Sequence, residues 1–441
     1  MITRRQLVRT GALGAASLSF IPQGFWRSPA QAAISNDPGF DLAAVNAKHL
    51  ADGVRFAPFF VKFAQQENLA NLWDSNRGDQ QVSFWSVRSP NPAGKRAFLP
   101  LGDAVSVDNN GSQSVSAILL APDDANPDVL RHPVGFDWVL DDHHSGNDRD
   151  IAYFKPRAPA GYTALGICFN VGDGDVGRYW CVRNDMLRVL GDNQKATVWT
   201  DSGSHWSHNG NLSRATLGSS DAAPSGMFLL PNTLIAGEGS LVQPAALIVS
   251  KAQVDGIKWL APGEPPYDPT TSQGDKFSPG ISRVMVLPCT AISDPTLRDQ
   301  ATASPFYYIV NRPVWTCTET SSTPAGEEVE RSFTIGTSET NSSEFRHATS
   351  WTVSTTAGFT PGMDGGASAS VSASFTEEFS LTEGHSTTQS KTEETKHIFR
   401  TQNQPLTQFW QLFTRISMYR GTGSLLSSID WGKNDFRMLP K

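Results

Sequence analysis

The chain has 441 residues and a formal net charge of −7, with 18% charged and 10% aromatic residues, 37 Gly and 28 Pro. An acidic balance without a concentrated Lys/Arg face argues against nucleic acid as a partner, because neutralising phosphates needs clustered cations. Few charges with many Gly, Pro, Ser and Thr favour numerous short strands and turns, and the length calls for two or three domains.

Residues 1–32 carry Arg4-Arg5, a mildly apolar run from Gly11 to Ile21 and an Ala30-Gln31-Ala32 cleavage pattern. This reads as an export signal, with the twin-arginine route favoured over an ordinary secretory signal. Either route places the mature protein in the periplasm or outside the cell. The segment is too short and too rich in Gly and Ala for a stable membrane span, and no later run approaches the roughly 18 apolar residues of a helical one. Residues 33–72 are expected to hold a short helix at 40–52 and a lead-in strand.

From 73 to 262 the chain repeats itself. Pro92-Ala93-Gly94, Pro159-Ala160-Gly161 and Pro224-Ser225-Gly226 recur about every 65 residues, longer than common solenoid periods. Upstream of each lies a Trp near an Asp: Trp73-Asp74, Trp138 with Asp141, and Trp199 with Asp201. The first two copies share aromatic-x-x-Leu-Gly, at Phe98 to Gly102 and Tyr162 to Gly166. Each copy ends in an apolar run, at 117–121, 179–182 and 246–249. Such a unit suits three or four strands used three times around a pseudo-threefold axis, with the tryptophans and Tyr162 in the core or at turns. Polar loops at 141–150 and 200–210 are the candidate ligand contacts, through Asp141, His143, Asp201, His205 and Trp206.

The strings WDSNRGDQQVSFW (73–85), DIAYFKPRAPAGYTALG (150–166) and YWCVRNDML (179–187) resemble the vacuolar-sorting "sixty-two" family and multivesicular-body-associated β-prism domains. Phe154-Lys155-Pro156 stands where that family has Trp-Arg-Pro; Pro159, Gly161, Tyr162, Leu165 and Gly166 match directly. The resemblance implies a β-prism with a role in membrane or glycan recognition.

Four cysteines permit disulfides in an exported chain. Cys168 and Cys181 flank a Gly/Asp-rich turn and form one candidate pair; Cys289 and Cys317 form the other. Connectivity does not follow from sequence.

After a Pro/Gly-rich linker expected over 263–304, composition shifts to Ser, Thr, Glu and small apolar residues. In ASASVSASFTEEFSL (367–381) one parity holds Ala367, Ala369, Val371, Ala373, Phe375, Glu377, Phe379 and Leu381, and the other is hydroxylic or acidic. Upstream, Phe345, Trp351, Val353, Ala357 and Phe359 share a parity, with Arg346, Ser350, Thr352, Ser354 and Thr356 on the other. Successive strand side chains point to opposite faces, so both segments predict strands with one apolar and one hydroxylic face. A turn over 360–366, carrying Met363, would join them into a hairpin spanning 345–381. In lipid only helices or closed barrels satisfy the backbone, and a barrel strand needs about 9–11 residues, apolar outward and polar inward.

These features resemble the aerolysin/epsilon-toxin family of β-pore formers, over 305–441. The resemblance implies long polar flanking strands at 332–344 and 385–399, a membrane-inserting hairpin and a homo-oligomeric ring on a target-cell membrane. The closing stretch at 409–421 returns to an apolar strand.

No enzyme reading gains support. His205 and His208, and His143-His144 beside Asp141-Asp142, lack a third ligand at a recognised spacing, so no metal site is expected. GDGDVG (172–177) lacks the calcium-loop spacing, and there is no G-x-S-x-G, P-loop or helix-opening G-x-G-x-x-G. No cofactor is expected. The sequence thus predicts a mainly β protein: a pseudo-threefold β-prism followed by an elongated antiparallel sheet that inserts a hairpin. The competing reading is an exported lectin-like or lipid-binding β-prism protein whose Ser/Thr segment is a non-inserting β-stalk.

Overall fold

The computed structural model describes residues 41–441 apart from 76–79, 91–95, 108–114, 116, 144–148, 203–207, 218–226, 238–241, 251, 254–262, 293, 298–299, 322–327, 338, 350, 355–357, 362–392, 401–405 and 441. The described chain is mainly β, in antiparallel sheets. It opens with helix α1 (Leu42–Asp52), capped by the Asp41 carboxylate accepting from Ala44 N, and strand β1 (Val54–Phe56).

Three six-strand units follow. The first comprises β2 (Phe59–Phe63), β3 (Leu69–Asp74), β4 (Val82–Val87), β5 (Leu99–Pro100), β6 (Ala104–Val107) and β7 (Ile118–Pro122). The second comprises β8 (Leu130–Arg131), β9 (Gly135–Asp141), β10 (Ala152–Arg157), β11 (Tyr162–Thr163), β12 (Cys168–Phe169) and β13 (Cys181–Arg183). The third comprises β14 (Leu187–Val189), β15 (Lys195–Trp199), β16 (Leu212–Ala215), β17 (Met227–Leu229), β18 (Leu234–Ala236) and β19 (Ala245–Val249).

In each unit the second, third and fifth strands form one small sheet: β3-β4-β6, β9-β10-β12 and β15-β16-β18. The first, sixth and fourth form another: β2-β7-β5, β8-β13-β11 and β14-β19-β17. Even the irregularities repeat, for a register shift at Leu72, Val139 and Val198 bulges the second strand of every unit. The threefold repeat therefore starts at β2 and not at Trp73.

The bulge also corrects the residue alignment. Opposite the equivalent residues Phe84, Tyr153 and Leu212 stand Trp73, Leu140 and Trp199. Trp73, Leu140 and Trp199 are buried in one core shared by the three units, whereas Trp138 is 54% exposed. Phe84 is the hub of that core. Its ring meets Trp73 at 5.1 Å, Phe169 at 4.8 Å and Trp199 at 5.9 Å, each close to edge-on, the arrangement aromatic quadrupoles prefer.

The other three sheets bury Leu120, Val182 and Leu247 in a second core, which continues into the C-terminal sheet. Strands β20 (Ala252–Gln253), β21 (Lys276–Phe277), β22 (Arg283–Pro288) and β23 (Phe306–Ser321) enter that sheet, with α2 (Gln300–Ala303) before β23. The expected linker is thus partly sheet: β22 pairs with β23 from Arg283–Asn311 to Pro288–Phe306. Its preceding segment covers a satellite cluster around Trp315, whose indole donates to Gly263 O at 2.6 Å.

Beyond it come β24 (Glu328–Ile335), α3 (Glu339–Thr349), β25 (Trp351–Ser354), β26 (Gly358–Pro361) and β27 (Glu393–Arg400). The chain ends in two long strands, β28 (Thr407–Arg420) and β29 (Leu425–Pro440). The order β22-β23-β28-β29 makes a long ladder, and the apolar stretch at 409–421 lies within β28 and its turn.

The four cysteines are buried free thiols, and neither expected pair is bridged. Cys168 and Cys181 lie in different sheets, separated by the short helix Asp173–Arg178 instead of a two-strand turn. Cys289 follows Pro288, which pairs with Phe306. Cys317 stands further along β23 by about 35 Å of extended chain, beyond any disulfide's reach. Burial pushes the Cys181 thiol up to about 12 and that of Cys317 to about 11.

Candidate functional sites

Two regions carry the chemistry. The first is the end of the threefold body where each unit's second and third strands are joined by a loop. Asp141 ends β9, His143 lies in the loop after it and Asp201 in the third unit's loop, where the residue equivalent to Asp201 is Asp142. His205 and Trp206 lie outside the described residues.

Within these loops the carboxylates serve the backbone. Asp142 Oδ1 accepts from Ile151 N at 2.5 Å, and Asp201 Oδ2 accepts from the equivalent Gly210 N at 2.6 Å. Asp141 accepts from the His143 backbone at 3.2 Å, while the exposed His143 ring faces Asp150 at 3.3 Å. These are loop-closing clips of the kind Asp supplies at turns. Among the described residues no group of three or more His, Cys, Asp or Glu is placed to hold a metal ion.

The loops also bridge neighbouring units. Arg149 of the second unit reaches back to the first, at Asn71 Oδ1 (3.5 Å) and Leu72 O (3.3 Å). The equivalent residue of the third unit, His208, meets Trp138 of the second, ring centroids 6.3 Å apart and planes at 83°. Gln80 of the first closes the circle, its carbonyl accepting from Trp199 Nε1 at 2.9 Å. Sequence reading placed Trp138 in the core or at a turn and weighed His208 only with His205 as a metal pair; the bulge, invisible in the pattern, turns Trp138 outward.

The second region is the segment enclosed by β24 and β27. These strands pair in antiparallel register from Glu328–Arg400 to Ile335–Glu393, so both ends of the segment 336–392 leave one stem side by side. The stem is anchored on the long sheet: Gly336 and Gly432 exchange backbone hydrogen bonds at 2.9 and 2.8 Å, and Phe333 stacks on Phe436 at 4.0 Å.

Here the expected continuous strand over 345–359 is replaced. Residues 339–349 form α3, which buries Ser342, Phe345 and Thr349 and exposes Glu344, Arg346 and His347. The buried residues recur at helical spacing, Thr349 Oγ1 bonds back to Phe345 O at 2.7 Å, and Arg346 in the last turn complements the helix dipole. The polar flank expected at 332–344 is correspondingly divided between β24 and α3. Trp351–Ser354 then pairs with Gly358–Pro361, with Val353 opposite Phe359, so this arm folds back on itself. Ala357, Met363, Ala367, Ala369, Val371, Ala373 and Phe375 lie outside the described residues.

No described helix is long and apolar enough to cross a membrane, which bears on helices alone. No family model matches the chain, and no curated protein matches it. Among solved structures it is similar to GNIP1Aa from Chromobacterium piscinae, with TM-score 0.32 and 18% identity over 42% of this chain and 34% of that one. It is also similar to Cry35Ab1, with TM-score 0.36 and 13% identity over 70% of this chain and 88% of that one. The match thus spans about a third of the length of GNIP1Aa.

Proposed function

We propose that this is an exported β-pore-forming protein. Its threefold body docks on a target-cell membrane, protomers gather into a ring, and each contributes a hairpin from 336–392 to a transmembrane barrel.

The observation that supports this reading is the register of the stem. Continued from Ile335–Glu393 into the inserted hairpin without a slip, that register would pair Val353 with Phe375, Ala357 with Val371 and Phe359 with Ala369. Asp364 falls at the tip, inside the glycine-containing turn. Because the register joins odd residues to odd, the apolar parities of both arms fall on one face; a slip by a single residue would place them on opposite faces. The arms Trp351–Pro361 and Ala367–Glu377 each match the roughly 9–11 residues a barrel strand needs, and Glu377 comes at the interfacial end, where a carboxylate is cheap. In this conversion α3 unwinds and the β25–β26 fold-back opens.

The test is dye release from liposomes of target-cell lipid extract. Val371→Arg, on the lipid face near mid-bilayer, costs about 2–4 kcal/mol per protomer and should abolish release while binding persists. Ser372→Arg, facing the lumen, should leave release within a few-fold of wild type. Binding without release by the wild-type protein on any responsive membrane would leave only a recognition module. Equal loss in both variants would refute the register.

A further inference from the structure

We infer that Trp138 and His208 form a sugar-binding subsite at the seam between the second and third units, a reading that rests on the threefold body being the docking part of the molecule.

The three seams of the body are equivalent in backbone but not in side chains. Asn71 meets Arg149, Thr197 lies on the strand whose Trp199 meets Gln80, and Trp138 meets His208. A polar residue at two of the three equivalent positions shows that the fold needs no aromatic ring there. Trp138 nevertheless places an indole at that position and leaves it 54% exposed, forgoing the burial that gives a Trp its stabilising effect. His208 holds the ring edge-on from the adjoining loop, which orients it while leaving apolar surface open.

An oriented, open indole with an imidazole set edge-on against it matches a pyranose. The ring's C–H face stacks on the aromatic plane, and its hydroxyls meet the imidazole nitrogens. A lipid surface fits less well. Interfacial docking needs several large apolar side chains together, and among the described residues from 134 to 141 Val134 is the one other that is exposed.

The probes are immobilised mannan, galactan and chitin, with sugar-free phosphatidylcholine vesicles as the fourth surface. The wild-type chain should be retained on at least one polysaccharide and released by the corresponding free sugar. Trp138→Ala should weaken that binding at least tenfold, Trp138→Tyr should keep most of it, and Thr197→Ala, at an equivalent position, should leave it unchanged. Retention on none of the polysaccharides, or equal retention of Trp138→Ala, overturns the subsite. So does binding to the vesicles that disappears in Trp138→Ala, which would make the residue a lipid anchor. Retention requires no insertion, so binding without dye release keeps the subsite and sinks the pore. Release unaltered by Trp138→Ala in glycan-bearing membranes does the reverse.

Discussion

Asp103 occupies the inside of the threefold body, where its side chain joins two units. It accepts from Val87 N at 2.9 Å in its own unit and from Phe169 N at 2.8 Å in the next, and the Tyr179 hydroxyl donates to it at 3.0 Å. Burial outweighs these bonds and the nearby Arg178, and its pKa rises from 3.8 to about 6. Folding therefore takes up a proton between those pH values. The contribution is fully present below about 4 and is lost as pH rises through about 6, a change of about 3 kcal/mol at most. Asp103→Asn keeps the shape and removes the titration. Denaturant unfolding at pH 4.5, 6 and 7.5 should show the variant gaining stability relative to wild type as pH rises; a constant difference would refute the assignment.

At the scale of elements, α3 is what keeps the segment 339–349 out of the stem ladder. Phe345 anchors it in the core that the threefold body shares with the long sheet. Phe345 fits two periods: it shares its parity with Trp351, Val353, Ala357 and Phe359 as a strand residue would, while Ser342, Phe345 and Thr349 recur as a helix face. Local pattern cannot choose between them; the core surface offered to Phe345 does. Phe345→Ala should remove about 3–5 kcal/mol of packing from this helix. If unwinding α3 precedes insertion, the variant should release dye faster and at lower protein concentration than wild type, with unchanged membrane binding. Slower release would show that α3 is needed in the active form.

At the scale of the molecule, the three units meet at an axis with no room for a side chain on the first or second unit's glycine. A Cβ on Gly102 would lie 2.8 Å from Ile167 O and 2.9 Å from Gly166 Cα. One on Gly166 would lie 2.9 Å from Leu101 O. Asp103 N donates to Ile167 O and Ile167 N to Leu234 O, at 2.9 and 3.1 Å, so the units are stitched by backbone at that point. Gly102→Ala should destabilise the fold by about 1–3 kcal/mol in thermal or denaturant unfolding. Gly174→Ala, with nothing within 4 Å of the added carbon, should be close to neutral. Equal effects would show that the axis can relax.

Much of this body was legible as a repeat. The apolar runs at 117–121, 179–182 and 246–249 fall on the sixth strand of each unit, and the Leu-Gly pairs mark the crowded axis. In the third unit Thr233 stands at the glycine position, its hydroxyl donating to Leu165 O at 2.6 Å, which is why that copy lost its sequence signature. Trp138 was misplaced because a bulge shifts the strand by one residue without leaving a mark in hydrophobic order.

By itself the sequence determined the β class, the threefold repetition and the alternating parity of 367–381, because these follow from short-range periodicity and turn chemistry. Only the tertiary structure decided that 339–349 is a helix, that Trp138 faces solvent and that neither cysteine pair is bridged. Each depends on which surfaces meet across long stretches of chain. The register of β24 with β27 belongs to the same group. Pairing between residues more than fifty positions apart is set by the whole sheet, and it alone determines whether two apolar parities share a face.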